Sequence, residues 1–250
     1  MMKHLLLFFL ALLSLRLEGS EIHVLGPKSM KGQLTELSNF FEKKNDGCRV
    51  SLEFGKSPEL AGLIERGAPA DLLITTDEKA VESLRSKNLI QSMEKLLADP
   101  VVIVGSPSSK LQVTSPQHLV FPELKQVSLF PEDVLLGVHS RAYLKKVNLF
   151  DLIAERIHSA KDPKFLMKAV SSGEADWGFV YASDVGAKSG VKVLWNVPET
   201  EIQPRLVYVA VSAAGGEKEM ARAFLETLRS TIATKLFENA GFRLVMETDR

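Results

Sequence analysis

The chain of 250 residues holds a single cysteine, Cys48. A disulfide within the chain is excluded, even in an oxidising compartment. Cys48 also lies too far from the N-terminus to be the lipid-bearing first residue of a bacterial lipoprotein. An excess of one charge is missing as well, since 31 basic residues balance 31 acidic ones. Such a balance gives no electrostatic footprint for nucleic acid or for an anionic membrane. Histidine is sparse: His23, His118, His139 and His158 stand 19 or more residues apart. That spacing matches none of the common zinc motifs, and Cys48 has no partner cysteine. No Gly-x-Ser-x-Gly elbow and no Gly-x-Gly-x-x-Gly loop occur. With neither an activated nucleophile nor an acid–base pair to name, the expectation is a protein that is not an enzyme and carries no cofactor or bare metal ion.

Long hydrophobic runs are confined to the beginning. Leu5 to Leu15 follows Lys3 and His4 and covers only about half of a bilayer's hydrocarbon core. It therefore reads as the apolar part of a signal peptide, residues 1–20, cleaved after Gly19 or Ser20. Removing Lys3, Arg16 and Glu18 with it leaves 29 basic and 30 acidic residues, close to −1. No later stretch approaches the roughly 18 apolar residues of a membrane span. The remaining chain is expected to be exported, without a lipid anchor, and long enough for two lobes of about 100 residues each.

What is present is an alternation of short apolar runs with helical patterns. Strands are expected at Ile22–Leu25, Val50–Phe54, Leu72–Thr75 and Val101–Val104. Helices are expected over Met30–Lys44, with Leu34, Leu37, Phe40 and Phe41 on one face, over Pro58–Arg66, and around Ala80–Ser86. This spacing implies βαβ units and a mainly parallel sheet covered on both faces. The middle repeats the theme: Val127–Leu129, a helix near Leu136–Lys146, another near Pro163–Ser171, and the strand Trp177–Val180. Leu206–Val211 is a further strand, and helices over Glu217–Ile232 and Thr234–Asn239 close the chain. The Pro-containing stretches Gly105–Pro116 and Pro198–Pro204 are the expected crossings. Lobe 1 would then comprise 21–105 plus 206–250, and lobe 2 would comprise 106–205.

Two serines stand between a strand and a helix. Ser29 follows Gly26-Pro27-Lys28, and Ser57 follows Gly55-Lys56 and precedes Pro58. Each is expected to cap its helix while its hydroxyl donates outward. Helix N-termini carry partial positive charge and suit anions, and parallel sheets bind ligands beyond the carboxyl ends of their strands. Plain capping is the competing reading. A phosphate loop is disfavoured, because Pro27 stands where that motif needs the glycine before lysine. Gly67 and Pro69 read as a helix stop, Asp77 and Asp184 as caps, and Trp177 and Trp195 as core or interface residues.

The segment Gly67-Ala68-Pro69-Ala70-Asp71-Leu72-Leu73-Ile74-Thr75-Thr76-Asp77, followed by Gly178-Phe179-Val180-Tyr181-Ala182-Ser183-Asp184, resembles the molybdate-binding periplasmic proteins of ABC transporters. The resemblance runs from Ile22 through Phe242. It includes the turn Pro131-Glu132-Asp133-Val134 and the ending Asn239-Ala240-Gly241-Phe242. It implies an α/β, two-lobed type II periplasmic binding fold with two hinge crossings, closing on a tetrahedral oxyanion. The implied ligands are the hydroxyls of Ser29, Ser57 and Tyr181 and backbone N–H groups at the positions of Leu136 and Pro163. The implied function is capture of molybdate, with tungstate also accepted, by a monomer in the periplasm that delivers it to a membrane permease.

This sequence departs from that pattern in three places. Pro163 has no N–H to donate, Leu135-Leu136-Gly137 lacks the usual proline, and Lys28 and Lys56 precede the two serines. The lysines either face solvent or line the site as auxiliary cations. A different oxyanion, a small carboxylate, or a sensor module without a tight ligand therefore stay open as alternatives.

Overall fold

A computed structural model of the chain describes residues 20–186 and 189–245. Residues 1–19 of the expected signal peptide, whose cleavage is expected after Gly19 or Ser20, lie outside the described residues. Among the described residues, no helix is long and apolar enough to cross a membrane.

The chain divides into two compact units. One contains the residues up to Glu94 together with Val209–Ser230, and the other contains Lys95–Tyr208 and the chain from Thr231 onward. In this division residues 95–105 and those after 230 count with the second unit.

The first unit begins with β1 (Glu21–Pro27), α1 (Lys31–Lys44), β2 (Arg49–Gly55), α2 (Ser57–Glu65), β3 (Leu72–Thr75) and α3 (Glu78–Ser86). Strand β1 pairs in parallel with β2 on one side and with β3 on the other. Parallel strands need a crossover, and α1 and α2 supply it, as the alternating pattern requires. With helices on both faces, β3 is buried at all four residues, which is why its run is uniformly apolar. Helix α1 buries Leu34, Leu37 and Phe41. Each such side chain contributes roughly 1.5–3 kcal/mol on burial. Phe40, expected on the same face, is only half-buried and lies under the Lys44 ammonium, 4.6 Å from its ring centre.

Strands β4 (Ile90–Asp99) and β10 (Arg205–Ser212) each run across a unit boundary. Their first-unit portions extend the sheet to the order β4-β10-β3-β1-β2. Helix α7 (Glu219–Leu228) closes this unit, with the Phe224 ring edge-on to Phe41 at 5.2 Å. The Asp71 carboxylate, 2 % exposed, accepts from the His23 N–H at 2.8 Å and from Lys218 at 2.9 Å. Gly67 ends α2 with φ +82°, a backbone state in which any Cβ is costly. Both observations agree with a structural role for the Gly67–Asp71 segment.

The second unit carries a five-stranded sheet. Its elements in chain order are β5 (Val101–Gly105), β6 (Val127–Leu129), α4 (Leu135–Lys146), α5 (Phe150–Ile153), β7 (Ile157–Ser159), α6 (Pro163–Ser172), β8 (Trp177–Tyr181) and β9 (Lys192–Asn196). The strand order is β7-β6-β8-β5-β9. Strand β6 is parallel to β7 and β8, whereas β5 runs antiparallel to β8 and β9. The sheets are therefore mixed, parallel where helices cross over and antiparallel where the chain returns. Helix α8 (Thr231–Asn239) and β11 (Arg243–Leu244) follow, β11 pairing antiparallel with Leu97–Ala98 of β4. Trp177 is fully buried, and its ring N–H donates to the Leu119 carbonyl at 3.1 Å. Trp195 is only partly buried, packed against the same core. A single helix from 217 to 232 does not form: α7 stops at Leu228 and α8 starts at Thr231.

Candidate ligand-binding site

Ser29 and Ser57 both lie just beyond the carboxyl end of the first unit's sheet. The register of β1 against β2 pairs Pro27 with Gly55. Each serine follows its member of that pair by two residues, so both chains leave the sheet at the same level. Neither serine is the cap that the sequence implies. Ser29 sits inside a short 3-10 turn, Lys28–Met30, ahead of α1, and no side chain caps that turn or the helix. Ser57 is the first helical residue of α2 and Pro58 the second, one position later than expected. The reason is that Glu59 reaches back and accepts from the Lys56 N–H at 3.1 Å, making Lys56 the flanking residue. Freed from capping, the two hydroxyls make no hydrogen bond to any described residue. Ser29 is exposed and Ser57 half-buried.

Lys28 and Lys56 are exposed, and neither forms an ion pair among the described residues. They stand immediately before the two serines, on the two neighbouring chains. Their charge is screened by water, which leaves them able to raise the local potential without fixing a geometry.

In the second unit, Tyr181 is the last residue of β8, opposite Val101 of β5. The next residue, Ala182, donates its N–H to Pro100 at 2.8 Å and begins a 3-10 turn through Asp184. Asp184 therefore lies within a turn, and does not cap a following helix as the sequence implies. Asp77 does cap, accepting from the Ala80 N–H at 3.0 Å. The Tyr181 ring is nearly buried, with the Arg205 guanidinium carbon 4.1 Å from its centre. Burial pushes the Tyr181 phenol above its ordinary value, Arg205 pulls it back down, and Asp99 and Asp184 push it up. At neutral pH the phenol keeps its proton and is a donor. Burial likewise pushes the Asp184 carboxyl up to about 6, against Arg205 and with Asp99.

Leu136 is the second residue of α4, so its N–H has no carbonyl one turn back. No side chain caps this helix and no acidic residue lies in its first turn. The helix end packs tightly on the preceding loop: a Cβ on Gly137 would lie 1.9 Å from the Pro131 carbonyl oxygen and 2.7 Å from that of Phe130. Only glycine allows this approach. Arg141 anchors it from the next turn, donating to the carbonyls of Phe130 and Gly137.

Pro163 is the first residue of α6, and Asp162 caps the helix by accepting from the Phe165 N–H at 2.7 Å. The proline offers no donor and the carboxylate already occupies the positive helix end. The helix starts at Ser29 and Leu136 thus lack a side-chain cap, whereas those at Ser57 and Pro163 hold a carboxylate. Among the described residues, no group of three His, Cys, Asp or Glu side chains could hold a metal ion.

The residues that sequence reasoning missed are Asp99 and Arg205. Each is a charged residue abutting an apolar strand, Asp99 before Pro100 and the Val101–Gly105 run, and Arg205 before Leu206–Val211. A charge in such a place is either solvated or paired, and sequence alone did not say which.

Comparison with known proteins gives concordant results. The molybdate-binding protein ModA of Escherichia coli (strain K12) is 29% identical over 238 residues, covering 91% of this chain and 90% of the relative. Its namesake from Haemophilus influenzae is 29% identical over 230 residues, with 90% of each covered. Among solved structures, the substrate binding domain of a putative molybdenum ABC transporter from Clostridium difficile superposes with a TM-score of 0.84 at 28% identity. That match covers 91% of this chain and all of the other. The periplasmic molybdate-binding protein of Azotobacter vinelandii shares the fold, with a TM-score of 0.64 at 21% identity. Residues 22–243 match the family of bacterial extracellular solute-binding proteins, and the chain belongs to that family, whose members bind solutes and do not transform them.

Proposed function

We propose that the protein captures molybdate, and tungstate with it, for uptake through an ABC permease. The observation that carries this reading is the pair of serine hydroxyls, two residues past the paired Pro27 and Gly55, with no hydrogen-bond partner among the described residues. Tyr181 adds a protonated phenol, and Leu136 an uncapped N–H. Neutral donors suit a tetrahedral dianion, because each charge-assisted hydrogen bond is worth about 1.5–3 kcal/mol and no bare cation is needed. The molybdate-binding names of the relatives support the same ligand. Size discriminates sulfate from molybdate, since the two present the same charge and hydrogen-bond pattern. The reading includes export through residues 1–20, a periplasmic location and action as a monomer.

A second ligand class, another oxyanion or a small carboxylate, is favoured by one observation. Asp162 and Pro163 replace a donor with a carboxylate at the helix end.

Thermal unfolding with molybdate, tungstate, sulfate and phosphate, each in turn, separates these readings. A ligand at about 100 times its dissociation constant adds roughly 2.7 kcal/mol of stability. Stabilisation by molybdate and tungstate alone is the expected result. Stabilisation by sulfate or phosphate instead would transfer the site to the second class.

A further inference from the structure

The carboxylate of Asp99 is fully buried at the end of β4. It gathers three donors: the Ser183 N–H at 3.1 Å, the Ser183 hydroxyl at 2.7 Å and the Arg205 guanidinium at 2.5 Å. All three donors belong to the same compact unit as Tyr181. Arg205, about one-third exposed, begins β10, the strand beside β4. One end of its guanidinium is thus fixed by Asp99, and its central carbon lies over the Tyr181 ring, 4.1 Å from the ring centre. The Arg205 Nε is buried and has no hydrogen-bond partner among the described residues.

We propose that Arg205, clamped by Asp99 and Ser183, is a positioning residue that fixes the direction of the Tyr181 hydroxyl and strengthens it as a hydrogen-bond donor. The second half of this statement, donation to an oxyanion, rests on the function proposed above. The physics is that of a cation over an aromatic face. The cation withdraws electron density from the phenol and stabilises charge on its oxygen, which makes the O–H a better donor. The opposing charges nearby are Asp99, which is committed to Arg205, and Asp184, whose buried carboxyl is largely neutral below about pH 6. Ser183 serves the clamp twice, through its N–H and its hydroxyl, which accounts for a serine two residues past the ligand tyrosine. Arginine is required because a lysine has no flat face to lay over the ring.

The test uses the full chain labelled with 13C at tyrosine Cζ. It has three tyrosines, Tyr143, Tyr181 and Tyr208, and Tyr181→Phe identifies the resonance. Removing Arg205 alone would strand a buried carboxylate and risk the fold. The variant is therefore Asp99→Asn with Arg205→Met, which removes both charges together. Its Tyr181 resonance is expected to ionise at higher pH than in Asp99→Asn alone, the comparison that isolates the cation, with Tyr143 and Tyr208 unmoved. The dissociation constant for molybdate is expected to rise about five- to tenfold. Arg205→Lys, which restores a cation without the flat face, should recover part of the phenol shift and less of the affinity. A Tyr181 resonance that does not move between Asp99→Asn and the double variant overturns the proposal, whether or not affinity falls, because Arg205 would then act through packing alone. A shifted resonance in a protein whose parent form fails to bind molybdate sinks the ligand assignment and upholds the coupling of Arg205 to Tyr181.

Discussion

Pro27 on β1 lies opposite Gly55 on β2, and each is followed by Lys and then Ser, so the chain offers the same dipeptide twice at one edge of one sheet. The parallel register brings the two segments level. Because neither serine hydroxyl has a hydrogen-bond partner among the described residues, removing one should leave the ligand-free fold nearly untouched. Ser29→Ala and Ser57→Ala are each expected to change unfolding free energy by less than about 0.5 kcal/mol. Each should weaken molybdate binding by about 1.5–3 kcal/mol, measured by isothermal titration. A large loss of stability without ligand would instead mark a capping role.

Gly137 is where helix α4 meets the carbonyls of Phe130 and Pro131. Gly137→Ala must push the helix start away from backbone that has no freedom to yield. The expected cost is about 1–3 kcal/mol or more in urea unfolding. Displacing the Leu136 N–H should also weaken molybdate binding. A variant with parental stability would show that the loop gives way more easily than the geometry implies.

Asp162→Asn keeps an acceptor for the Phe165 N–H but removes the negative charge from the start of α6. Asn and Asp cap about equally well, so stability should hold within about 0.5 kcal/mol. Molybdate affinity should rise a few-fold, the size of one charge at a helix end. Unchanged affinity would place the bound anion away from this helix.

Asp184 gives a pH signature with a definite sign. Burial raises its folded carboxyl from the ordinary 3.8 to about 6, so the folded state holds the proton more tightly than the unfolded chain does. Its contribution to stability is full below the unfolded value, declines as pH rises from about 4 to about 6, and is lost above that. The decline amounts to about 2–3 kcal/mol at most. Asp184→Asn should abolish it, seen as the difference between parent and variant in denaturant midpoints from pH 4 to 7. A parallel pair of curves would mean that Asp184 titrates normally in the folded protein.

Much of the fold was legible because periodicity is a local property. Leu72–Thr75 and Val127–Leu129 were read to the residue, and the βαβ alternation followed from apolar runs at crossover spacing. The strands that escaped were β4, β7, β9 and β11. Strand β4 mixes Gln91, Ser92, Glu94 and Lys95 with apolar residues, and its exposed first half hides the pattern. β7, with half-buried Ile157 and two exposed residues, and β11, only two residues long, are fixed by their neighbours in the sheet and not by their own composition.

The sequence by itself determined the α/β class, excluded a disulfide within the chain, and set the two Lys-Ser segments and Tyr181 each directly after an apolar run. Those are consequences of composition and of order along the chain. Only the tertiary structure decided that Lys56 and not Ser57 flanks α2, because that depends on where the Glu59 carboxylate reaches. It alone decided that Asp162 fills the start of α6, and that Gly137 must be glycine. The pairing of Asp99 with Arg205, 106 positions apart, was likewise invisible. Two isolated charges beside apolar strands become one ion pair, its carboxylate fully buried, only when folding brings β4 against β10 and Ser183 and Tyr181 beside them.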